Sequence, residues 1–344
     1  MRSQITRIVF VVVIGALGYF AYTTFYHRNI IRISPPESPP KFSVSYLFYF
    51  PPSSSLPFIP SEFMGGDSVK QEIASDIRGI RDMGFDGIKL VFHFGASNDL
   101  ENWVAKKAAK EGLYPIGLLA GHGKRSKDRA FTEEEMQEWE EFVREQVKEN
   151  KEIVYFWEVW NEPDVEFFRY GTPEEYLELL KRTHPIIEKE NPRAKVVVTL
   201  DVPAHDQEIR EFSERCLSLG AGDYFDILSF HPYAPGPYIV EDVFRSSLEA
   251  EKKLQARYGH RWPLWISEIG QPASQVSEEK QAALAEMVFK EAYRNNIPVV
   301  WLHYSDERIF SLYPDNSSGW GLLRQDGTPK PAYEKVRAFL RGAK

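Results

Sequence analysis

Residues 153–164 read Ile153-Val154-Tyr155-Phe156-Trp157-Glu158-Val159-Trp160-Asn161-Glu162-Pro163-Asp164, and how this stretch is read decides the fold. A short apolar run meets two polar residues just before a helical pattern, so the stretch marks the place where a strand ends. An Asn-Glu pair there offers an amide to a hydroxyl and a carboxyl for proton transfer, and rigid aromatic neighbours such as Trp160 can wall off water. The ordinary alternative is a turn feeding a helix. The choice depends on what the rest of the chain builds around the pair.

Working outward, strand-length apolar or β-branched runs recur at 42–50, 87–93, 114–119, 153–159, 195–200, 226–230, 263–267 and 298–303. Helical spacing fills the intervals, as in Val69-Ile73-Ile77-Ile80 and in Met136-Trp139-Phe142-Val143 after Thr132-Glu133-Glu134-Glu135. Runs without alternation, such as Val196-Val197-Val198, are those of parallel strands buried on both faces. Strict strand–helix alternation, eight times over, predicts an α/β chain closed as a (β/α)8 TIM barrel rather than an open sheet. No Gly-x-Gly-x-x-Gly follows the first strand, which weighs against dinucleotide binding.

A barrel puts its working groups just after the strands, on one face. His93, Asn161, Glu162, His231, Tyr233, Glu268, Trp301, His303 and Tyr304 all fall at such positions. Strand seven, Pro263-Leu264-Trp265-Ile266-Ser267-Glu268-Ile269-Gly270, supplies a second carboxylate opposite Glu162. Two carboxyls facing each other at about 5–5.5 Å is the arrangement for retaining glycoside hydrolysis, one protonating the departing oxygen and the other attacking the anomeric carbon. The competing reading is two unrelated surface glutamates at loop starts.

With these residues in place, the chain resembles the clan of retaining (β/α)8 glycoside hydrolases that includes the cellulase/mannanase-type and β-xylosidase-type families. The resemblance runs over 42–342 and rests on Asn161-Glu162, Glu268, His231-Pro232-Tyr233, Trp301 and the late Asp326-Gly327-Thr328-Pro329-Lys330-Pro331-Ala332-Tyr333. It implies that Glu162 is the acid/base and Glu268 the nucleophile. Around them, Asn161 would meet the sugar 2-hydroxyl, Tyr233 would hold Glu268, His231 would orient Glu162 or bind substrate, and Trp301 would floor the sugar site. Many cellulase-type relatives carry an Arg after strand two; Phe92-His93-Phe94 stands there instead, making His93 a substitute sugar ligand. His122 after strand three is another candidate. Trp160 is expected to line the pocket, with Phe167, Phe168, Tyr238 and Trp320 in loops whose aromatics set the substrate.

Two rivals stand beside this reading. A metal-dependent barrel hydrolase could use His93, His122, His231 and His303, yet no His-x-His pair occurs. A non-catalytic glycan-binding barrel at the cell surface would usually have lost one carboxylate. The expected partner is a carbohydrate, with no metal and no cofactor.

The 344 residues carry a net charge of -8 with no basic stripe, which argues against a nucleic-acid partner. The single cysteine, Cys216, excludes an internal disulfide and sits in a helical core pattern. Arg2 and Arg7 precede Ile8–Tyr26, an uncharged run of about 19 residues, close to the length that spans a bilayer. We read 1–7 as a cytoplasmic tip, 8–26 as a transmembrane helix, 27–41 as a Pro-rich linker and 42–344 as the catalytic domain. The barrel is then held outside the cytoplasm at the membrane, or secreted if the segment is a cleaved signal peptide.

Overall fold

The eight apolar runs become eight parallel strands that close on themselves. The computed structural model describes residues 31–36, 40–46, 67–121, 129–165, 170–201, 206–233, 240–306 and 319–343. Among them β1 (Phe42–Ser45), β2 (Gly87–Phe94), β3 (Tyr114–Gly121), β4 (Phe156–Val159), β5 (Lys195–Thr199), β6 (Ile227–Phe230), β7 (Leu264–Ile269) and β8 (Val299–Trp301) pair in chain order. β8 returns to β1 through Phe42↔Val299 and Val44↔Trp301, completing a closed barrel. The helices follow the strands: α1 (Asp67–Met83), α2 (Asp99–Lys110), α3 (Glu133–Asn150), α4 (Pro173–Glu190), α5 (Gln207–Ser218), α6 (Val240–Arg257), α7 (Glu278–Arg294) and α8 (Pro331–Gly342). The expected (β/α)8 architecture is therefore the observed one.

Strand parity divides the core into two shells. Outward residues such as Val44, Trp157, Val159, Val198, Leu228 and Trp301 join the helices in one continuous apolar layer. Inward residues Ile116, Phe156, Val197, Ile227, Trp265 and Val300 form a separate plug at the bottom of the barrel. Side chains in these layers are removed from water almost completely, which is the main stabilising contribution of a barrel of this size. Packing against the sheet is tight enough to fix residue size: a Cβ on Gly117 would lie 2.3 Å from the Trp157 ring. The helix starts behave as their sequences suggest. Thr132 and Thr172 each close a capping box with a glutamate three residues on, Glu135 and Glu175.

Strand four begins later than its apolar run. Ile153 and Val154 donate their amides to Asn150 O, both at 2.9 Å, so they close the end of α3 and pairing starts at Phe156. Part of the 27–41 spacer lies along the barrel. Ile33 donates to Glu152 O at 3.1 Å, accepts from the Tyr155 hydroxyl at 2.8 Å, and packs on the bottom plug. The expected transmembrane helix at 8–26 lies outside the described residues, and no described helix is long and apolar enough to cross a membrane.

One buried acid makes the fold sensitive to pH. Glu101 in α2 is buried and, among the described residues, pairs with no cation; burial, aided by the charge of Asp99, pushes its carboxyl up to about 7. A proton bound more tightly in the folded chain gives stability that is complete below the ordinary carboxyl range and is lost as pH rises through about 7. Glu101→Gln should match wild type near pH 4 and exceed it by on the order of 3 kcal/mol at pH 8. Chemical denaturation at both pH values checks this, and equal stability at pH 8 would refute it.

Candidate active site

The polar residues of the barrel interior come from single positions in otherwise apolar strands. On β2 the inward residues are Lys89, Val91 and His93; on β4 the inward residue above Phe156 is Glu158. Thr199 on β5, Ser229 on β6 and Ser267 on β7 complete a polar layer above the apolar plug, and all five polar side chains are fully buried. Lys89 Nζ lies 2.7 Å from Glu158 Oε2 and donates to Ser267 O at 3.1 Å. Glu158 Oε1 accepts from Thr199 Oγ1 at 2.6 Å and from Ser267 Oγ at 2.9 Å. Burial alone would raise the Glu158 carboxyl, but the charges of Lys89 and His231 outweigh it and hold it at about 2.

Above this layer three groups converge. His231, just after β6, places Nδ1 2.7 Å from Glu162 Oε1 and 3.6 Å from Glu268 Oε2, with Nε2 2.9 Å from Ser267 Oγ. Atoms of Glu162, His231 and Glu268 all lie within 4.8 Å of one another, so the two carboxylates meet across the mouth. Glu268 Oε1 is also 3.7 Å from Lys89 Nζ, and Tyr233 donates to Glu268 Oε2 at 3.5 Å. Burial pushes the Glu268 carboxyl above its ordinary range, while Lys89 and His231 pull against that rise. Burial works against the His231 cation, yet the surrounding carboxylates, Glu268 foremost, raise its affinity for a proton well above the usual imidazole value. A protonated His231 donates from both ring nitrogens, to Glu162 and to Ser267.

Two backbone irregularities aim the glutamates. On β7, Ile266 pairs with Val299 and Ile269 with Trp301, so three steps of one strand match two of the next. This bulge leaves Ile266 and Ile269 in the outer layer and turns Ser267 and Glu268 together to the inside. After β4, Trp160 and Glu162 both have left-handed backbones, φ 67° and 44°. A bulky residue in that region is strained, by about 1–3 kcal/mol. Tight packing around Trp160 offsets the strain: Tyr170, Phe131 and Trp139 surround its ring with centroids 4.9, 5.7 and 5.8 Å away.

Trp160 is thus not beside the glutamates. Alternation would point it inward with Phe156 and Glu158, but the left-handed turn swings it into the layer under α3, where it is buried. Trp301 is also away from the mouth. It is fully buried, shares the outward face with Val299, and packs at 6.3 Å from Phe289 of α7. The structure brings together Glu162, Glu268, His231 and Tyr233. Asn161 sits between the strained residues, its Oδ1 buried without a hydrogen-bond partner among the described residues. His93 is on the inward face of β2, its main chain held by the Asn98 side chain at 2.7 and 3.0 Å.

Trp320 reaches the site instead, edge-on to Tyr233 with centroids 5.8 Å apart. Its segment is fastened by Gln281 and Lys330, which donate to Gly319 O at 2.7 and 3.0 Å, and Lys330 pairs with Asp306 at 2.6 Å. His122, Phe167, Phe168 and Tyr238 lie outside the described residues.

Lys89, Glu158, Thr199, Ser229 and Ser267 form a polar layer directly beneath the candidate site that strand-end reasoning misses. The signal was a lone polar residue, once a cation and once an anion, inside apolar strands. Asp201 and Asp164 are a further support: Asp201 Oδ1 accepts from the His231 amide at 2.7 Å, and Asp164 Oδ2 accepts from the Asp201 amide at 2.8 Å and Ser213 Oγ at 2.9 Å. The spacing of Glu162, His231 and Glu268 would suit a metal ion, but both His231 nitrogens are already engaged by Glu162 and Ser267.

No family model and no curated protein matches the chain. Solved structures do. A family 39 glycoside hydrolase from Bacteroides cellulosilyticus WH2 is similar with TM-score 0.65 at 22% identity, over 87% of this chain and 62% of that one. A subfamily 18 member of glycoside hydrolase family 5 from Bifidobacterium longum gives 0.63 at 14% identity, over 89% and 79%. A Streptomyces cattleya relative of that subfamily, solved in complex with Manβ1-4GlcNAc, gives 0.61 at 16%, over 88% and 80%. The chain spans under two thirds of the family 39 enzyme's length. What it shares with these glycoside hydrolases is the (β/α)8 barrel.

The aromatic anchor should act on stability. Trp160→Ala should lower the unfolding free energy by roughly 3–5 kcal/mol, as truncation of a large core aromatic does. A denaturation midpoint within error of wild type would show that the cluster does not carry the strained turn.

Proposed function

We propose that the protein is a retaining glycoside hydrolase that cleaves β-glycosidic bonds in a polysaccharide, oligosaccharide or glycoconjugate. The observation that carries this reading is the pair Glu162 and Glu268, with carboxylate oxygens within 4.8 Å across the barrel mouth and His231 bonded to one of them. A gap that short suits direct attack by one carboxylate, since inverting enzymes need about 6.5–9.5 Å to admit a water. The barrel held in common with glycoside hydrolases of families 39 and 5 supports the same chemistry.

In this reading Glu268 is the nucleophile. Lys89 and His231 favour its anion, and the Tyr233 hydroxyl steers Oε2, leaving a carboxylate oxygen to attack the anomeric carbon as the bond to the leaving oxygen breaks. Glu162 delivers a proton to that leaving oxygen. Water then enters, Glu162 takes its proton, and attack on the same carbon releases Glu268 and gives a product of retained configuration. His231 orients Glu162 through the 2.7 Å bond. The buried Oδ1 of Asn161 offers an acceptor to a sugar hydroxyl, and Trp320 over Tyr233 offers an aromatic face for a pyranose ring.

The apolar run Ile8–Tyr26 serves as a membrane tether for a barrel working outside the cytoplasm. The fastening of Ile33 beneath the barrel supports an arrangement with the mouth opening away from the bilayer. Residues 27–32 between them can reach at most about 25 Å.

Two outcomes are expected. Glu162→Gln should lose roughly 10²–10⁴-fold in kcat on substrates with poor leaving groups, and Glu268→Gln should fall to background. Azide should restore turnover to small-side-chain variants at both sites, giving the β-azide at 162 and the α-azide at 268; activity surviving in Glu268→Gln would refute the assignment. Full-length protein should sediment with membranes through high-salt washes while a chain lacking residues 1–30 stays in the supernatant. Equal partition of the two would remove the tether.

A further inference from the structure

A charged pair at the centre of a barrel is costly unless something is gained from it, because taking both ions out of water offsets their attraction. Lys89 and Glu158 are both fully buried, in a layer that barrels ordinarily fill with branched apolar residues. They are not isolated there. From Glu158 Oε1 the hydrogen bonds run to Ser267 Oγ, from Ser267 Oγ to His231 Nε2, and from His231 Nδ1 to Glu162 Oε1. From Lys89 Nζ the other direction leads to Glu268 Oε1 at 3.7 Å. The pair is therefore joined at one end to the carboxyl assigned proton transfer and at the other to the carboxyl assigned nucleophilic attack.

We infer that Lys89 and Glu158 are positioning residues of the reaction: Lys89 holds Glu268 ionised and aimed from beneath, while Glu158, through Ser267, fixes the His231 ring in place and so orients Glu162. This inference deepens the proposed function and rests on it. The geometry carries it. Of the groups bonded to or within ion-pair distance of Lys89 Nζ, two are carboxylates and one is the Ser267 carbonyl, whose residue links Glu158 to His231. Among the described residues, the charged and titratable groups facing Glu268 are Lys89 from β2, Glu158 from β4, Glu162 after β4, and His231 and Tyr233 after β6. Among them Lys89 and His231 are the cations, so the balance at Glu268 depends on the pair.

A merely structural ion pair and a positioning pair make different predictions, because the two partners carry opposite charge. The measurement is kcat/KM against pH for wild type, Lys89→Gln and Glu158→Gln on an aryl β-glycoside that wild type accepts, alongside Glu268→Gln. The acidic limb reports ionisation of the nucleophile in the free enzyme. Removing the Lys89 charge should move that limb to higher pH by about one unit or more. Removing the Glu158 charge should move it to lower pH, since Lys89 then acts on Glu268 unopposed while Glu162 and Glu268 still face the His231 cation. A structural role would cost both variants stability and rate while leaving the limb in place or moving it the same way, and either result overturns the inference. If Lys89→Gln does not fold, Glu158→Gln decides alone: a downward shift supports the inference and an unmoved limb defeats it. The Glu268→Gln control separates the two layers of argument. Inactivity there with unmoved limbs elsewhere defeats only the positioning role, whereas activity there defeats the hydrolase reading itself.

Discussion

Closing eight parallel strands into a barrel forces every second residue of each strand into one enclosed column. Water cannot reach that column from the side, so whatever the strands put there must be apolar, or polar and fully paired. In this chain the column is split. Its lower part is the apolar plug around Phe156, Val197 and Trp265. Above it, beside a small apolar cluster of Val91, Leu118 and Ala120, lies a polar layer, and the Lys89–Glu158 pair at 2.7 Å is the contact on which that layer depends. Without Lys89, Glu158 would be an anion in a dry interior. Without Glu158, the cation would face Glu268 across 3.7 Å with no counterweight below it.

The mouth inherits its geometry from this layer. His231 does not simply occur beside two glutamates; Ser267 takes up one ring nitrogen and Asp201 its main-chain amide, so the imidazole can turn only one nitrogen toward Glu162. Ser267 in turn can face inward beside Glu268 only because the β7 bulge puts two consecutive residues on one side of the strand. On the opposite strand, the left-handed backbone at Trp160 and Glu162 performs the corresponding turn. Each carboxylate is therefore presented by a local departure from regular strand geometry, and each departure is held by packing or bonding behind it.

These departures explain what the sequence could and could not reveal. Strand and helix existence was legible throughout, because burial on both faces and helical periodicity leave strong patterns. Glu162, Glu268, His231 and Tyr233 were legible as a group, because barrel topology alone brings strand ends together. Trp160 and Trp301 show the limit. Their positions at strand ends suggested the pocket, but direction depends on parity and on φ, and neither a bulge nor a left-handed tryptophan leaves a mark in one sequence. The polar layer was missed for another reason: Lys89 and Glu158 lie within strands, and attention to strand ends passes over them. Their types were the available signal, since an unpaired Lys or Glu inside a buried strand has no physical justification.

The same reasoning bears on how such a site can change. Residues on loops at the mouth, among them the Trp320 segment held by Gln281 and Lys330, can alter without disturbing the column beneath. Residues of the polar layer cannot alter singly, because each loss strands a buried partner. Recognition of a substrate and ionisation of the glutamates are thus carried by different parts of the molecule. A barrel built this way can change what its mouth admits while keeping the column beneath it. In the proposed reading, that independence lets the glutamates and their supports speak to a reaction type, whereas the choice of sugar belongs to the residues above them.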